Sequence, residues 1–235
     1  MAVDFEQMAE YYDAMYGNED EYRREAEQVH ALACEYGVQG SLLDIACGTG
    51  LHAKYLSRYF EVTGVDLSGG MLHAARKNVP GVRFVEGDMC TLPLEETFHV
   101  AVNLYGSIGF VKDGKGLAAA CRETYRCLEE GGLFILVPWS TRESFAEGMV
   151  ADSGEKDGLF YCRMEAVRRE DTHHAGIVMR HLIGRSGKIR EFCQMQVITL
   201  FSEDEYCTAL ENAGFRIALR LKEPEFRMGA FVCIK

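Results

Sequence analysis

The chain has 235 residues, of which 48% are hydrophobic, and a formal net charge of −11 at pH 7. This length and composition suit one globular domain over residues 1–235, and no apolar run approaches the roughly 20 residues that a membrane helix needs. The negative charge and the lack of extended lysine or arginine clusters argue against a polynucleotide, which usually meets a basic stripe. We therefore expect a cytoplasmic protein that acts on a small molecule, without nucleic-acid or membrane partners.

Nine cysteines are scattered along the chain, and no two of them form a C-x-x-C pair. Most of them fall in runs that read as apolar strands or helices. This pattern favours buried, reduced thiols over disulfides or a zinc site, so we predict no metal centre.

Two helices are predicted before the first strand, over residues 4–16 and 19–36. The second has a long charged face and an apolar stripe that includes Ala26, Val29 and Ala33. Together, residues 1–40 are predicted to form a helical cap.

The segment LLDIACGTG, residues 42–50, reads as a buried strand, a carboxylate at Asp44, a glycine turn and the start of a helix. Gly48 and Gly50 allow positive φ and let the backbone approach a ligand closely, and the N–H groups of the next helix face the turn. This arrangement predicts a nucleotide-type cofactor.

Two cofactor classes compete for this loop. Gly48, Gly50 and Ala53 match the dinucleotide fingerprint, with Asp66 at a suitable distance to hold a ribose. Asp44, however, would repel a pyrophosphate and attract an ammonium group. S-adenosylmethionine has an ammonium and a sulfonium but no phosphate, so it fits the charge pattern better. An ordinary turn with a capping aspartate is the third interpretation.

Two further carboxylates follow the next two predicted strands. Asp66 ends residues 62–66, before a helix capped by Ser68, and can accept hydrogen bonds from both ribose hydroxyls. Asp88 follows residues 82–86 and can accept a hydrogen bond from the adenine amino group. Open parallel sheets bind ligands outside the carboxyl ends of their strands, which is where these acids are expected.

From residue 41 to 138, strands and helices alternate in short units, as in right-handed crossovers of a parallel sheet. Gly131 and Gly132 mark the predicted turn into a fifth strand, Leu133 to Pro138. The alternation then stops, and residues 139–200 are predicted to form an antiparallel insertion over the acceptor side of the sheet. Its β-type runs are 159–168, 175–184 and 189–201.

After the insertion, a helix over 203–213 is predicted to end at Gly214, and 215–222 with 229–235 to form a closing hairpin. With the five earlier strands this predicts an α/β fold, in which a doubly wound, mostly parallel seven-stranded sheet carries an antiparallel β insertion.

Nearly the whole chain resembles the class I S-adenosylmethionine-dependent methyltransferases, through LLDIACGTG, VTGVDLS, GGMLHAARKN, VEGDM, the apolar strand at 99–104 and LEEGGLFILVPW. The motifs YYDAMYG, EYRREA, CGTGLH, GSIGF, VPWSTRESF and VITLFSEDEY are similar to small bacterial N-methyltransferases that dimethylate amino groups on nucleotide-linked sugars. The resemblance implies a Rossmann-like methyltransferase domain, S-adenosyl-L-methionine as cofactor, and a small-molecule acceptor, most simply an amine.

The resemblance also implies which residues bind the cofactor. It assigns the methionine part to Asp44, Gly48 and Gly50, the ribose to Asp66 and the adenine to Asp88. The full predicted set adds Tyr12, Tyr22, Ala46, Leu67, Met71, Met89 and Leu104.

Methyl transfer from a sulfonium mainly requires a nucleophile held in line in a water-poor pocket, and an amine must also lose a proton. The predicted catalytic residues are Tyr12, on a helix that folds over the cofactor in the relatives, Trp139, which should face the acceptor, and His181, which could accept the proton. The alternatives are a half-buried tyrosine, a packing tryptophan and a structural histidine.

Three positions depart from the family pattern. Phe110 and Gln196 stand where the relatives place polar rings on the presumed acceptor side, and His99 replaces an aspartate. The acceptor could therefore differ from an amino sugar, and O-methyl transfer, a non-catalytic cofactor-binding protein and a dinucleotide oxidoreductase remain as alternatives. The insertion could also provide the surface of a homodimer.

Overall fold

The computed structural model describes residues 5–222 and 226–235, so residues 1–4 of the predicted cap lie outside the described residues. The helices are α1 (Phe5–Met8), α2 (Tyr12–Tyr16), α3 (Glu19–Glu35), α4 (Leu51–Leu56), α5 (Gly69–Asn78), α6 (Gly114–Arg126) and α7 (Glu203–Ala213), and a 3₁₀ helix spans Ser107–Phe110. The strands are β1 (Ser41–Ile45), β2 (Glu61–Asp66), β3 (Arg83–Glu86), β4 (Phe98–Asn103), β5 (Leu128–Leu136), β6 (Gly148–Lys156), β7 (Leu159–Arg169), β8 (His174–Arg185), β9 (Lys188–Thr199), β10 (Arg216–Leu221) and β11 (Ala230–Ile234).

Seven strands form the main sheet in the order β10-β11-β5-β4-β1-β2-β3. The five strands from β5 to β3 run parallel, and β11 runs antiparallel to both of its neighbours. The strand order reverses between β1 and β4, which opens a crevice at their carboxyl ends. The predicted α/β fold with a doubly wound seven-stranded sheet is confirmed.

The central strands are buried on both faces, which explains their continuous apolar runs. Leu42 packs into the hydrophobic cluster on one face of the sheet, and Leu43 packs into the cluster on the other. The helix boundaries follow ordinary capping chemistry. The Ser68 hydroxyl accepts a hydrogen bond from the Met71 N–H, and α7 ends at Gly214 in the left-handed conformation, as predicted.

The predicted insertion is an antiparallel sheet in the order β6-β7-β8-β9, so it has one strand more than the three predicted runs. The segment of β6, GMVADSGEK, has mostly small or charged residues, so no β-type alternation was visible in it. Two tight turns connect β7 to its neighbour β6 and β8 to β9. Asp157, Gly158, Ser186 and Gly187 all have positive φ there, as in type I′ hairpins.

The N-terminal segment differs from the single predicted helix over 4–16. It forms two short helices, α1 and α2, because Met8, Tyr11 and Met15 turn inward against Leu159 and Ile183 of the insertion. The second predicted helix is present as α3.

The fifth strand also differs from its prediction over 133–138. It begins at Leu128, which pairs with Phe98. The register then shifts between Phe98 and Val100, so the residues of β5 around Gly131 have no partners on β4. His99 has a structural explanation as well. Its Nδ1 accepts a hydrogen bond from the Ser41 N–H at 3.3 Å.

All nine cysteines are free thiols, and Cys47, Cys121, Cys127 and Cys233 are buried. Cys34, Cys162 and Cys193 are exposed, so the prediction of burial is wrong for these three. Among the described residues, no helix is long and apolar enough to cross a membrane.

Candidate active site

A cavity of about 1060 Å³ lies at the carboxyl ends of the parallel strands. Its floor is formed by the loops after β1, β2, β3 and β4, and its other walls by α1, α2 and the inner face of the insertion. Ligand sites usually have volumes of about 300–1,000 Å³, so this one has room for a cofactor and a second molecule.

The loop after β1 brings backbone into this cavity. Ala46, Gly48 and Gly50 have φ values of 60°, 53° and 80°, so the chain turns through three left-handed residues before α4. A side chain at Gly50 would also contact Ala75 and Phe84 at 3.3 Å. Glycine is therefore required at Gly50 for conformation and for space.

Asp44 is buried beneath this loop, with 2% of its surface exposed, and its Oδ2 has no hydrogen-bond partner among the described residues. Burial raises the pKa of Asp44 to about 6, against the favourable charge of His52. The carboxylate lines a second, small cavity of about 50 Å³, which we call the inner cavity. A buried carboxylate without a partner fits the ammonium group of S-adenosylmethionine.

Asp66 is fixed at the end of β2 by two backbone hydrogen bonds. Its Oδ2 accepts from the Gly48 N–H at 2.8 Å, and its Oδ1 accepts from the Ser68 N–H at 2.9 Å. The first of these bonds joins the loops after β1 and β2, so the side chain lies at the cavity wall in one orientation. A carboxylate oxygen can accept more than one hydrogen bond, which suits the ribose hydroxyls.

Asp88 lies two residues after β3 and lines the cavity, with its Oδ1 accepting from the Cys90 N–H at 2.8 Å. Leu67, Met71 and Met89 line the same cavity, and Leu67 is 70% exposed. One carboxylate among apolar side chains suits a flat adenine ring with an exocyclic amino group.

The predicted tyrosines lie on two sides of the inner cavity. Tyr12 lines both cavities, whereas Tyr22 lines the inner one together with Leu104. The Tyr22 ring stacks on that of Tyr105, with centroids 5.7 Å apart. Burial raises the pKa of Tyr12 and, with the charges of Tyr105 and Tyr16, keeps its phenol neutral. Tyr12 can therefore donate or accept a hydrogen bond but does not act as a phenolate.

The short helix α2 is attached to the cofactor loop through Asp13. Its Oδ1 accepts from the Thr49 hydroxyl at 2.5 Å, and its Oδ2 accepts from the Asn78 amide at 2.7 Å. Asn78 also donates to the Thr49 carbonyl at 3.0 Å. These contacts hold the cap over the cavity.

Trp139 lines the side of the cavity next to the insertion and packs against Ile177 and Met179. Gly106, with a φ of 76°, lies directly beneath it, because a side chain there would come within 2.5 Å of the Trp139 Cα. Phe110 and Gln196, the two departures from the family pattern, line the same part of the cavity. We call this part the acceptor wall.

The acceptor wall also contains a carboxylate that the sequence did not point to. Glu165, on β7, accepts a hydrogen bond from the Tyr16 hydroxyl, and the Arg163 Nη1 lies 3.6 Å from its Oε1. Burial alone would raise the pKa of Glu165. The neighbouring His181, the hydrogen bond from Tyr16 and the charge of Arg163 outweigh that effect, so the pKa of Glu165 is lowered and the group is ionised at neutral pH.

His181 lies behind Glu165 and is not one of the residues that line the cavity. It is 1% exposed, with its Nε2 3.7 Å from the Glu165 Oε1 and its ring edge-on to Tyr11. The direct proton transfer predicted for His181 would need contact with the acceptor, which this position does not give. The geometry instead favours an action of His181 through Glu165.

Tyr105 is the other site residue that sequence reasoning missed. It has a φ of 58° and lines both cavities, directly after Leu104. The signal for Glu165 was its strand periodicity, since Arg163, Glu165 and Val167 alternate on one face of β7. Among the described residues, no group of three or more histidine, cysteine, aspartate or glutamate side chains could hold a metal ion.

Comparison with known proteins identifies the family. Residues 42–132 match the family model described as a methyltransferase domain. The dTDP-3-amino-3,4,6-trideoxy-alpha-D-glucopyranose N,N-dimethyltransferase of Streptomyces venezuelae is 34% identical over 229 residues, covering 95% of this chain and 96% of the relative. The chain belongs to the class I S-adenosylmethionine-dependent methyltransferases. It is thus an enzyme that uses S-adenosylmethionine, and the dinucleotide and non-catalytic alternatives are wrong.

Solved structures agree with this assignment. The crystal structure of Streptomyces venezuelae DesVI superposes on this methyltransferase with a TM-score of 0.90, at 32% identity, and covers 100% of this chain and 99% of the other. CalS10, an amino pentose methyltransferase from Micromonospora echinaspora solved with S-adenosylmethionine bound, gives a TM-score of 0.84 at 30% identity, with 95% of each chain covered. The cofactor supplies a methyl group on a sulfonium.

Proposed function

We propose that this methyltransferase transfers the methyl group to an amine nitrogen of a small acceptor, most simply an amino sugar carried on a nucleotide. The main support for the proposal is the ionised carboxylate of Glu165 on the acceptor wall, because a carboxylate attracts a cationic amine more strongly than a neutral hydroxyl. The names of the relatives, which are N,N-dimethyltransferases of dTDP-amino sugars, support it.

Glu165 acts by holding the acceptor nitrogen. The carboxylate is fixed from three sides by Tyr16, Arg163 and His181, so it can accept hydrogen bonds from the amine in one orientation. The protonated amine gives one proton to solvent before its lone pair attacks the methyl carbon. The carbon–sulfur bond breaks as the carbon–nitrogen bond forms, and the products are the methylated ammonium and S-adenosylhomocysteine. Trp139 closes the wall against water, and the neutral hydroxyl of Tyr12 hydrogen-bonds to the reactants near the sulfonium.

The departures at Phe110 and Gln196 fit the same proposal. These positions lack the polar rings that the relatives are expected to have, so Glu165 forms the hydrogen bond to the acceptor nitrogen instead. We therefore propose that Glu165 binds the acceptor nitrogen in this protein, as a ring nitrogen or a ring hydroxyl is expected to do in the relatives.

A panel of acceptors tests the proposal. Nucleotide-linked sugars with an amino group at one carbon are compared with the matching hydroxyl sugars, and products are measured by mass spectrometry as additions of one or two methyl groups. We expect methylation of the amino sugars alone. Methylation of the hydroxyl sugars alone would replace amine transfer by O-methyl transfer.

Glu165→Gln tests the role of the carboxylate. We expect kcat/KM for the amine to fall by about 10- to 100-fold, the effect of losing one charged hydrogen bond, while the Kd for S-adenosylmethionine stays unchanged. Glu211→Gln is the control, because Glu211 is exposed on α7, outside the insertion, and does not line the cavity. Equal activity of the two variants would exclude this role of Glu165.

We also propose that two copies of the chain pair through the outer face of the insertion. This face is an exposed apolar surface, which in a soluble monomer is rarely so large. A face that meets its own copy around a twofold axis would bury it. The exposed side chains on it are Met149, Phe160, Met164, Val178, Leu182, Ile189, Met195 and Val197.

Sedimentation tests the dimer. Val178→Glu, near the middle of the outer face, is expected to shift the protein to a monomer, whereas Asp204→Asn, at the start of α7, leaves the mass unchanged. A wild-type protein that sediments as a monomer at high concentration would refute the dimer. A cytoplasmic location and the lack of a nucleic-acid partner stay predictions.

A further inference from the structure

The inner cavity contains a histidine that the binding of adenine, ribose or acceptor does not use. His52, on α4, is 7% exposed and lines this cavity together with Asp44. Its Nε2 donates a hydrogen bond to the Glu25 Oε2 at 2.7 Å, and Glu25, on α3, is only 2% exposed. A charged group buried this deeply is costly unless it is paired, so the pair calls for an explanation.

The hydrogen bond to Glu25 determines which ring nitrogen a ligand can meet. Because Nε2 donates to a carboxylate, Nδ1 is left for the inner cavity. Tyr22 packs edge-on against the ring, with centroids 4.5 Å apart, and keeps it in this orientation. When both ring nitrogens carry a proton, both are donors, so Nδ1 can then donate to a ligand.

We propose that the His52 imidazolium, held by Glu25, binds the α-carboxylate of the cofactor while Asp44 binds its ammonium group. Both groups of the cofactor are attached to one carbon atom, so their partners must lie at the same small site. Asp44 and His52 meet this condition, because both line the inner cavity of about 50 Å³. A water molecule needs about 10–15 Å³ by a comparable measure, so an amino-acid head group fits.

The charges of the site match those of the ligand. The proposal assigns the Asp44 carboxylate to the ammonium group, and the His52 ring, with both nitrogens protonated, to the carboxylate. The unpartnered Oδ2 of Asp44 is the independent observation that a ligand completes this site. Glu25 is then a positioning residue, which acts on the cofactor only through the histidine.

Binding of three ligands separates this inference from other roles. S-adenosylmethionine carries both groups, decarboxylated S-adenosylmethionine lacks only the carboxylate, and 5′-methylthioadenosine lacks both. Calorimetry with the full-length protein gives the ratio of the Kd for the decarboxylated compound to the Kd for S-adenosylmethionine. For the wild-type protein we expect a ratio of about 10 to 100, the effect of one charge-assisted hydrogen bond.

His52→Gln is expected to lower this ratio to about 3 or less, and Glu25→Gln to an intermediate value. His73→Gln, an exposed histidine on α5, is the matched control and should keep the wild-type ratio. An unchanged Kd for 5′-methylthioadenosine shows that a variant has kept its fold. If His52→Gln no longer binds 5′-methylthioadenosine, the ratio measured for Glu25→Gln is used to test the inference.

A wild-type ratio near 1, or a wild-type ratio retained in the folded variants, would overturn the inference. These measurements use no acceptor and no turnover. Their failure would therefore leave amine transfer untouched, and a negative acceptor panel would leave this inference untouched.

Discussion

The two walls of the main cavity are built differently. The cofactor wall comes from one stretch of chain, and its key side chain, Asp66, is oriented by backbone N–H groups of two neighbouring loops. The acceptor wall is assembled by side chains from distant segments, such as Tyr16 and Glu165, which are 149 positions apart. Changes on the acceptor wall can thus alter the acceptor without disturbing the cofactor site.

The largest expected effect tests the cofactor wall. Asp44→Asn removes the anion opposite the cofactor's ammonium group, so we expect affinity for S-adenosylmethionine to fall by about 2–5 kcal/mol in calorimetry. The thermal stability of the free protein should rise, because a buried carboxylate without a partner is removed. Asp20→Asn, on the surface of α3, is the control. A stable variant with unchanged affinity would remove Asp44 from the site.

Asp66→Ala should cost about 1–3 kcal/mol of cofactor affinity, through the lost hydrogen bonds to the ribose. It also leaves the Gly48 N–H without its acceptor, so we expect the melting temperature of the free protein to fall. This combination distinguishes it from Asp44→Asn, which should raise the melting temperature. An unchanged Kd would contradict the ribose role.

The pH dependence of binding follows from the raised pKa of Asp44. Its carboxyl keeps a proton below a pH of about 6, and the ammonium group prefers the ionised form. Affinity should therefore fall by about tenfold per pH unit as the pH drops below 6, as one-proton linkage requires. His52 and Asp66 also lie near the carboxyl of Asp44. The test is therefore the difference between the pH profiles of cofactor affinity for the wild type and for Asp44→Asn.

The raised pKa of Asp44 affects folding stability in the opposite direction from cofactor affinity, because stability falls as the pH rises. Because the pKa of Asp44 is higher in the folded protein than its usual 3.8, the folded state binds more protons between these values. The stability that Asp44 contributes is present below about pH 4 and is lost as the pH rises through 6. Denaturant unfolding at pH 5 and 7 should show this loss in the wild type but not in Asp44→Asn.

A smaller effect is expected where the two walls meet. Asp13→Ala removes the acceptor of the hydrogen bonds from Thr49 and Asn78, and this should cost about 1 kcal/mol of stability. The cofactor should also dissociate faster, as measured by stopped-flow fluorescence. If the dissociation rate does not change, α2 does not control access to the cavity.

The smallest effect should come from a neutral residue of the acceptor wall. Gln196→Leu keeps the volume but removes the polar group, so we expect the KM for the acceptor to rise a few-fold, or by about 0.5–1 kcal/mol. The Kd for the cofactor should not change. A parallel rise in both constants would mean that the two walls are coupled.

The cofactor wall was predictable because its information is local. Asp44 lies near the end of β1, Gly48 follows that strand and Asp66 ends β2, and the two strands pair in parallel. A strand, a turn and a helix can be recognised from about ten residues each, before any tertiary contact is known.

The acceptor wall was not predictable to the same degree, because its geometry depends on strand pairing over long distances. The pairing of β7 with both β6 and β8 turns Glu165 towards the cavity, and β6 has no apolar alternation to reveal it. His181 shows the same limit. Its strand was predicted, but Glu165, which lines the cavity in front of it, is on another strand.

The attachment of α2 has a consequence for the pace of the reaction. Asp13 holds this helix to Thr49 and Asn78 directly over the cofactor loop. We expect that these contacts break before spent cofactor leaves and that they open again before a fresh molecule binds. We expect the first turnover to be faster than the following ones, so that the exchange of S-adenosylhomocysteine sets the steady-state rate.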